Sequence, residues 1–324
     1  MSKIIKITEG QLQDVIKSSM DIPLNAPEEE IEDMKEIVAD IEKGNFRKSP
    51  MNYTGGKHKL LPQLVPLFPK NIRTFVDLFC GGCDIAINVS AKKIIANDLN
   101  NNVVDFYNEI KNMSIEQILA HIDEVVNKYN LTIDNAEGYN AFRDYYNHSG
   151  KDPLDLFILI CYSFNHQIRF NKSGDYNMPF GKNRSYFNDN IKKNLIEFHK
   201  AITTNNVVFT NYSFRDIKVD KLGPEDFVYC DPPYLITCAT YNEQGGWGES
   251  EERDLYALLD RLNHSGVKFG LSNVMMNKGK TNDILIQWAE KYNVHHLNMT
   301  YSNCNYHALD KNVKGTDEVF VTNY

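Results

Sequence analysis

The sequence predicts an α/β fold, a Rossmann-like sheet with a helical domain inserted into it. A strand-like run at 75–79 leads into a glycine-rich turn, and a second run at 93–97 ends at Asp98. A strand, such a turn and a helix form the first unit of a Rossmann-like sheet. The strand pattern stops from 106 to 204, where helical periodicity replaces it. Further strands are expected at 207–210, 227–230, 267–271, 294–299 and 318–324.

Residues 1–49 stand apart from this pattern as an acidic extension. Residues 4–12 predict a short strand and a helix capped by Thr8, and residues 27–43 predict an acidic amphipathic helix. Nine acidic residues and two lysines lie between 21 and 45. We expect a solvated appendage, and the alternative is an arm that docks a partner or mimics DNA.

Ligand-binding residues are expected in the run before the first strand and at the end of the second strand. In the run 51–57, two glycines let the backbone approach a ligand, Tyr53 is able to stack on it, and Lys57 is able to pair with a carboxylate. Asp98 at the end of the second strand suits a ribose diol. The alternatives are a solvated loop for the upstream run and a helix N-cap for Asp98.

The turn after the first strand contains Gly81 and Gly82, and the run 85–90 predicts the start of a helix. The full G-x-G-x-x-G spacing is absent, so the turn alone is a weak indicator of a nucleotide site. Cys80 and Cys83 form a C-x-x-C pair, which raises a redox or zinc hypothesis. Because the sequence has no second such pair, no metal is predicted.

The segment from 106 to 204 predicts helices at 115–119 and 154–161. Its centre, 165–184, is polar and basic with interleaved aromatic residues, as suits a hairpin that enters a DNA groove. Seven basic residues and three acidic ones lie between 160 and 200, although the chain carries a net charge of −8. The local field can therefore attract phosphates, which supply most of nonspecific DNA affinity.

The tetrapeptide Asp231-Pro232-Pro233-Tyr234 carries the strongest chemical signal. It follows the apolar run 227–230, and open α/β sheets bind ligands just beyond the carboxyl ends of their strands. The prolines stiffen the loop and remove two donors, which leaves a carboxylate, carbonyl oxygens and an aromatic ring. Such a site suits a planar base with an exocyclic amino group, because two acceptors localise the nitrogen lone pair. The alternative is an ordinary Pro-Pro turn.

Bulk composition describes an ordinary soluble protein. The chain has 324 residues, which suggests about two domains. Charged residues make up 24% and hydrophobic residues 42%. No apolar run approaches the ~20 residues that a membrane helix needs, and no signal peptide is visible. We expect a cytoplasmic protein without a membrane segment.

Together these motifs resemble the Dam-type family of S-adenosylmethionine-dependent adenine-N6 DNA methyltransferases, particularly its phage-type members. The resemblance covers residues 50–324. Along the chain, the cofactor site comes first, the target-recognition segment second and the catalytic tetrapeptide third, and this order matches the group to which the family belongs. It rests on N-Y-T-G-G-K at 52–57, D-L-F-C-G-G at 77–82, Asp98, the segments 169–171 and 177–181, D-P-P-Y, K-F-G-L-S-N at 268–273 and T-D-E-V-F at 316–320.

The resemblance implies a methyltransferase sheet formed by 50–105 and 205–324, with an antiparallel last strand, and a target-recognition domain at 106–204. It implies S-adenosylmethionine as cofactor and double-stranded DNA as partner. The candidate catalytic residues are Asp231, Pro232, Pro233 and Tyr234. The candidate cofactor-binding residues are Tyr53, Lys57, Asp77, Phe79, Gly81, Asp98 and Asp231. The candidate DNA-binding residues are Arg169, Asn171, Asn177 and Pro179.

Target reading is expected to centre on Arg169, which can pair with a guanine edge and discriminate by about 1–3 kcal/mol. The alternative is a phosphate contact, which fixes register without reading sequence. Asn177 is able to read adenine or support a neighbouring contact, and Pro179 is able to pack on a thymine methyl. The resemblance favours GATC as the target. Asn52 stands where some family members carry a base-contacting lysine.

The expected reaction is direct, in-line methyl transfer without a covalent enzyme intermediate. Cytosine-N4 and protein-glutamine methyltransferases usually carry Ser or Asn at the position of Asp231, and they are the nearest alternatives. A DNA-binding module that has lost catalysis and a nicotinamide dehydrogenase are rivals from other classes. The loop 235–250, with three glycines, predicts a mobile flap in which Trp247 is an anchor.

Overall fold

A central, mostly parallel sheet organises the computed structural model, which describes residues 28–149, 151–237, 246–298 and 315–324. The strands are β1 (Ile72–Asp77), β2 (Ala91–Asn97), β3 (Val207–Thr210), β4 (Phe227–Cys230), β5 (Lys268–Asn277), β6 (Lys280–Thr281), β7 (Asn293–Leu297) and β8 (Asp317–Thr322). Their order is β3-β2-β1-β4-β5-β8-β7, with β6 paired to β5. The first five in this order are parallel, and β8 is antiparallel to both β5 and β7. The mixed α/β architecture confirms the predicted fold class.

Helices flank this sheet. They are α1 (Glu28–Lys43), α2 (Leu61–Leu64), α3 (Asn101–Lys111), α4 (Ile115–Lys128), α5 (Ala136–Ser149), α6 (Pro153–Tyr162), α7 (Asp189–Thr204), α8 (Glu249–His264) and α9 (Asp283–Ala289). Short 3-10 turns occur at His58–Leu60, Val65–Leu67, Ala86–Asn88 and Phe164–His166. Across the described ranges, no helix combines the length and the apolar character that a bilayer crossing requires.

The helix expected from the run 85–90 is reduced to the 3-10 turn at Ala86–Asn88, and β2 begins three residues later at Ala91. The buried Asn88 side chain explains the stop. Its amide accepts the N–H of Arg47 and donates to the Arg47 carbonyl, both at 2.8 Å. Because these long-range bonds fix Asn88, the connection between β1 and β2 does not extend into a full helix.

Each strand divides its side chains between two cores, because successive side chains point to opposite faces. Phe75 and Tyr229 lie in a core shared with the helices from 101 to 204, whereas Val76 and Val228 pack with α8 and α9. The helical segment is thus continuous with one face of the sheet, and the proposed domain division stays a prediction.

Helix α1 packs on the fold, unlike the solvated appendage expected. Lys200 of α7 lies 2.8 Å from both Asp33 and Glu36, and Ile37 is buried. Arg47, just beyond the helix, pairs with Asp40 at 3.0 Å. The strand and the helix predicted within 4–12 lie outside the described residues.

Gly270 on β5 is required by close packing. A Cβ at this position would lie 2.3 Å from Cζ of Phe320 and 3.1 Å from Cζ of Phe227. We predict that Gly270→Ala destabilises the protein by about 1–3 kcal/mol, as overpacked cores do. Urea denaturation measures this loss. Gly223→Ala is the matched control, because a Cβ there would meet only Nη2 of Arg73 at 3.9 Å; equal stability of the two variants would contradict the prediction.

Candidate active site and recognition hairpin

Four acidic residues meet at one edge of the sheet. Asp77 ends β1, Asp98 follows β2 and Asp231 follows β4, and the carboxyl ends of parallel strands share an edge. Glu318 reaches the same edge from the opposite direction, because β8 is antiparallel to β5. The chain passes from β1 to β2 on one side and from β4 to β5 on the other, so the connections after the adjacent strands β1 and β4 diverge and open a crevice between them.

The centre of this edge is a cluster of Lys57, Asp231, Tyr234 and Glu318, which we call the charged corner. Lys57 Nζ lies 2.8 Å from Asp231 Oδ2 and 3.8 Å from Glu318 Oε1. It also donates to the Gly55 carbonyl at 2.9 Å. The Tyr234 hydroxyl lies 2.9 Å from Asp231 Oδ1 and 3.2 Å from Glu318 Oε1, within donating distance of both. Both oxygens of Asp231 therefore have a protein partner.

Within the tetrapeptide, Pro232 is buried, whereas Pro233 and Tyr234 are partly exposed. The Tyr234 ring lies under Lys57, whose Nζ is 5.1 Å from the ring centroid. Burial, followed by the charges of Asp231 and Glu318, raises the pKa of the Tyr234 hydroxyl well above its ordinary value. The hydroxyl thus remains a donor at neutral pH.

Glu318 is the residue of this corner to which the sequence analysis gave no role. Its side chain is only 1% exposed. A carboxylate is rarely buried unless it is paired. The sequence signal for Glu318 was an acidic residue inside the apolar run of β8. Its partners lie in distant segments, so the signal did not indicate what the residue contacts.

Desolvation dominates the electrostatics of the edge. Burial raises the pKa of Asp77 well above its ordinary value, and the charge of Asp231 adds to this effect. Burial also raises the pKa of Asp231, although Lys57 opposes the shift. Carboxyl groups that resist ionisation in the free protein favour a ligand that brings positive charge.

The glycine turn and the upstream loop are packed together. Gly81 has φ +44°, and a Cβ there would lie 2.9 Å from Cδ1 of Tyr53. Asp98 accepts the Gly81 N–H at Oδ2 and the Asn100 N–H at Oδ1, each at 2.8 Å. Asn100, not Asp98, is the N-cap of α3, so the alternative reading of Asp98 as a helix cap does not apply. The Tyr107 hydroxyl donates to the Gly81 carbonyl at 2.8 Å and fixes the other side of the turn.

An aromatic cluster closes one end of the crevice. Phe79 lies 5.7 Å from Phe214 and 5.6 Å from Trp247, measured between ring centroids. Trp247 Nε1 donates to Glu252 Oε2 at 2.6 Å, which agrees with its expected role as an anchor. Residues 238–245 of the predicted flap lie outside the described residues. Phe214 was not among the candidates, because one phenylalanine after a short strand carries no distinctive pattern.

The predicted recognition segment forms a hairpin with an isolated bridge between Phe170 and Tyr176. On it, Arg169 Nε donates to Asn177 Oδ1 at 2.8 Å, and Arg169 Nη2 donates to the Asn177 carbonyl at 2.9 Å. Asn177 thus orients Arg169, which is exposed and keeps further guanidinium donors beyond these two bonds. Pro179 is also exposed.

Asn171 instead holds the hairpin turn. Its Oδ1 accepts the N–H groups of Ser173 and Asp175, both at 2.9 Å, and its Nδ2 donates to Asp175 Oδ2 at 3.1 Å. These bonds account for most of its side-chain capacity. The DNA-binding role assigned to it stays a prediction.

Side chains of helix α5 hold the hairpin by hydrogen bonds to the hairpin backbone. Tyr139 and Arg143 both donate to the Met178 carbonyl, at 2.9 and 2.8 Å. Asn147 exchanges two hydrogen bonds with the backbone of Tyr176. These three residues are spaced four apart, which places them on one face of the helix.

One contact joins the hairpin side to the upstream loop. Asn52 Nδ2 donates to the Asn165 carbonyl at 3.0 Å. Asn165 and His166 both have positive φ, at 56° and 52°, so the chain turns sharply there. Asn52 thus braces the segment that leads into the predicted recognition hairpin.

One group of potential metal ligands, His121, Asp152 and Asp155, occurs among the residues that the structure describes. His121 Nε2 lies 2.8 Å from Asp155 Oδ1, and Asp152 caps α6 by accepting the N–H groups of Leu154 and Asp155. Hydrogen bonds within the protein therefore account for these side chains.

Comparisons with known proteins give consistent matches. The model of a family described as D12 class N6 adenine-specific DNA methyltransferase matches residues 53–303. Type II methyltransferase M.FokI of Planomicrobium okeanokoites is 48% identical over 284 residues, 86% of this chain and 43% of that protein. Modification methylase StsI of Streptococcus sanguinis is 42% identical over 285 residues, with the same shares covered.

The DNA adenine methylase of Escherichia coli K12 is 29% identical over 196 residues, 59% of this chain and 66% of that protein. The chain spans 43% of the length of the first two relatives. The family match includes the candidate residues from Tyr53 to Asp231, whereas Glu318 lies beyond it.

We predict that Asp77→Asn stabilises the ligand-free protein at neutral pH. Because the pKa of Asp77 is higher in the folded than in the unfolded chain, folding takes up a proton between the two values, and stability falls as pH rises through that window. The variant lacks this loss, so its advantage opens above pH ~4, where an unfolded aspartate ionises.

Thermal denaturation from pH 4 to 8 measures this effect. We expect a gain of about 1–2 °C in Tm at the upper end, the shift that ~1 kcal/mol produces in a chain of this size at the average unfolding entropy per residue. Asp220→Asn, which removes the same charge from an exposed turn, is the control. A destabilised Asp77→Asn variant at pH 8 would contradict the assigned burial cost.

Proposed function

Because the chain belongs to the D12 class N6 adenine-specific DNA methyltransferase family, we propose that it transfers a methyl group from S-adenosylmethionine to the N6 amino group of adenine in double-stranded DNA. The observation that carries the proposal is the charged corner at the sheet edge. It combines a stiff D-P-P-Y loop with a carboxylate whose two oxygens are already aligned by Lys57 and Tyr234.

The glycine turn and the acidic residues at this edge suit the cofactor. Because Gly81 and Gly82 have no side chains, Tyr53 packs directly on the turn, which places an aromatic ring beside the expected ligand. Asp98 retains lone pairs for a ribose diol beyond the two backbone bonds that it accepts. Buried Asp77 favours a positively charged ligand. A bound cofactor supplies a methyl group activated on a sulfonium.

The protein's part in the reaction is to hold the base. Asp231 and the Pro232 carbonyl accept the two amino hydrogens, which directs the nitrogen lone pair outward. Tyr234 supplies a stacking face, which partly offsets the few kcal/mol needed to unstack a base from the duplex. When the amino group takes the Tyr234 hydroxyl's place on Asp231, Glu318 is within reach to accept that hydroxyl. Alignment of donor and acceptor then accounts for most of the acceleration.

Two alternatives are less well supported. A cytosine-N4 enzyme usually carries Ser at the position of Asp231, and the family match is to adenine-specific enzymes. A binding module without catalysis has no need for a lysine at 2.8 Å from a partly buried aspartate at the sheet edge.

For the target, we propose a short site that contains adenine, with GATC, which the family resemblance favours, as the first hypothesis. Identity to M.FokI and StsI is higher than to the E. coli adenine methylase, at 48% and 42% against 29%. The target motif therefore has to be determined experimentally, without assuming GATC. A different motif would overturn the GATC hypothesis alone and leave the reaction in place.

The proposal is tested by expressing the chain in a host without DNA methylation and mapping N6-methyladenine by sequencing. We expect methylation at a single motif with the wild-type chain. Asp231→Ala should reduce it by about 1000-fold or more, because the amino group loses its oriented acceptor. Retained methylation in Asp231→Ala would contradict the mechanism, and the absence of any methylated adenine with the wild-type chain would overturn the function.

We further predict that Arg169→Ala relaxes the target at one base. Its exposed donors, oriented by Asn177, can read a guanine edge, and such a pair is worth about 1–3 kcal/mol of discrimination. Methylation rates on a panel of single-base variants of the mapped motif measure this. Lys172→Ala, an exposed lysine of the same hairpin, is the control and should weaken all sites alike. Uniform weakening by Arg169→Ala would instead indicate a phosphate contact.

A further inference from the structure

We propose that Glu318 sets the charge of the corner so that the site prefers the positively charged methyl donor to its neutral demethylated product. This inference rests on the proposed function and extends it to a residue outside the family match. Glu318 acts through the field that it adds at the corner, and it is a positioning residue for charge, not a group that contacts the reacting atoms.

The starting point is the short Lys57–Asp231 pair. At 2.8 Å the two charges largely cancel at a distance. A cancelled pair would give little attraction to a sulfonium, although Asp231 would still orient the amino group. Glu318 changes this balance, because its Oε1 lies 3.8 Å from the same lysine and adds a second negative charge to the corner.

Burial makes this charge effective. The side chains of Lys57 and Glu318 are 7% and 1% exposed, so water screens them poorly. Glu318 points to the face that also carries Tyr229 and Phe320, whereas its neighbour Asp317 bonds His296 at 2.8 Å. The groups that face Glu318 include Lys57, Asp231, Tyr234 and Tyr229.

Glu318 can influence the reaction because the reaction moves a positive charge. As the methyl carbon bonds to the amino nitrogen, the sulfur–carbon bond breaks and its electron pair stays on sulfur. Positive charge leaves sulfur and passes to the amino nitrogen, which then releases one proton to water. A fixed negative charge favours the cationic donor before transfer, supports the charge that develops on nitrogen, and releases the neutral thioether product afterwards.

Two simpler roles would give different results. If Glu318 only accepts a hydrogen bond from Tyr234, glutamine should replace it, because an amide oxygen also accepts. If Glu318 only maintains the fold of the corner, its loss should weaken donor and product alike. A charge role predicts a selective loss of the donor.

The test is calorimetric titration of the full chain, without DNA, with S-adenosylmethionine and separately with S-adenosylhomocysteine. We expect Glu318→Gln to weaken binding of the donor by about tenfold and of the product by less than about twofold, as a single charge in a poorly screened site does. Asp317→Asn removes the same charge from the neighbouring, partly exposed position and should leave the ratio of the two dissociation constants unchanged.

An equal loss of both ligands, or no loss of either, in Glu318→Gln would overturn the inference. Lys57→Gln provides a reciprocal test that does not depend on the folding of the first variant: removal of the positive charge should shift the ratio toward the donor, and an unshifted ratio contradicts the proposal. Failure of the wild-type chain to bind either ligand would instead reject the proposed cofactor and hence the function.

Discussion

The structure depends on the need to compensate carboxylates buried at the end of a parallel sheet. Removing a carboxylate from water costs several kcal/mol unless it is paired and hydrogen-bonded. Lys57 meets that need for Asp231, and it does so from a loop outside the sheet. The segment before this loop is fixed by two sets of hydrogen bonds. Ser49 donates its N–H to Asp84, and the Asn88 side chain bonds the backbone of Arg47. Helix α1 and the segment after it therefore take part in placing the lysine.

The sequence was informative where structure follows from local pattern. Short apolar runs predicted the strands of the sheet, and Ser114 and Asp152 mark the starts of two predicted helices by capping them. The D-P-P-Y loop was located because it follows such a run. Glu318 could not be assigned, since its partners are set by the position of β8 between β5 and β7. The helix expected after Gly82 fails for a similar reason, because Asn88 bonds a residue 41 positions away.

The site and the helical segment from 101 to 204 are joined by direct contacts. Asn52 bonds the Asn165 carbonyl, and Tyr107 of α3 bonds the Gly81 carbonyl in the glycine turn. Helix α3 also packs on α7 and β3, through Tyr107 against Phe198 and Phe209. These contacts connect the position of the helical segment to that of the glycine turn.

The support that α5 gives to the hairpin has a consequence for substitutions in it. Tyr139, Arg143 and Asn147 bond carbonyl groups and one N–H of the main chain, which every residue type except proline provides. Side chains on the outer surface of the hairpin can consequently be exchanged without disturbing its attachment. Point substitutions on this surface can therefore change its chemistry while the main-chain attachment of the hairpin stays the same.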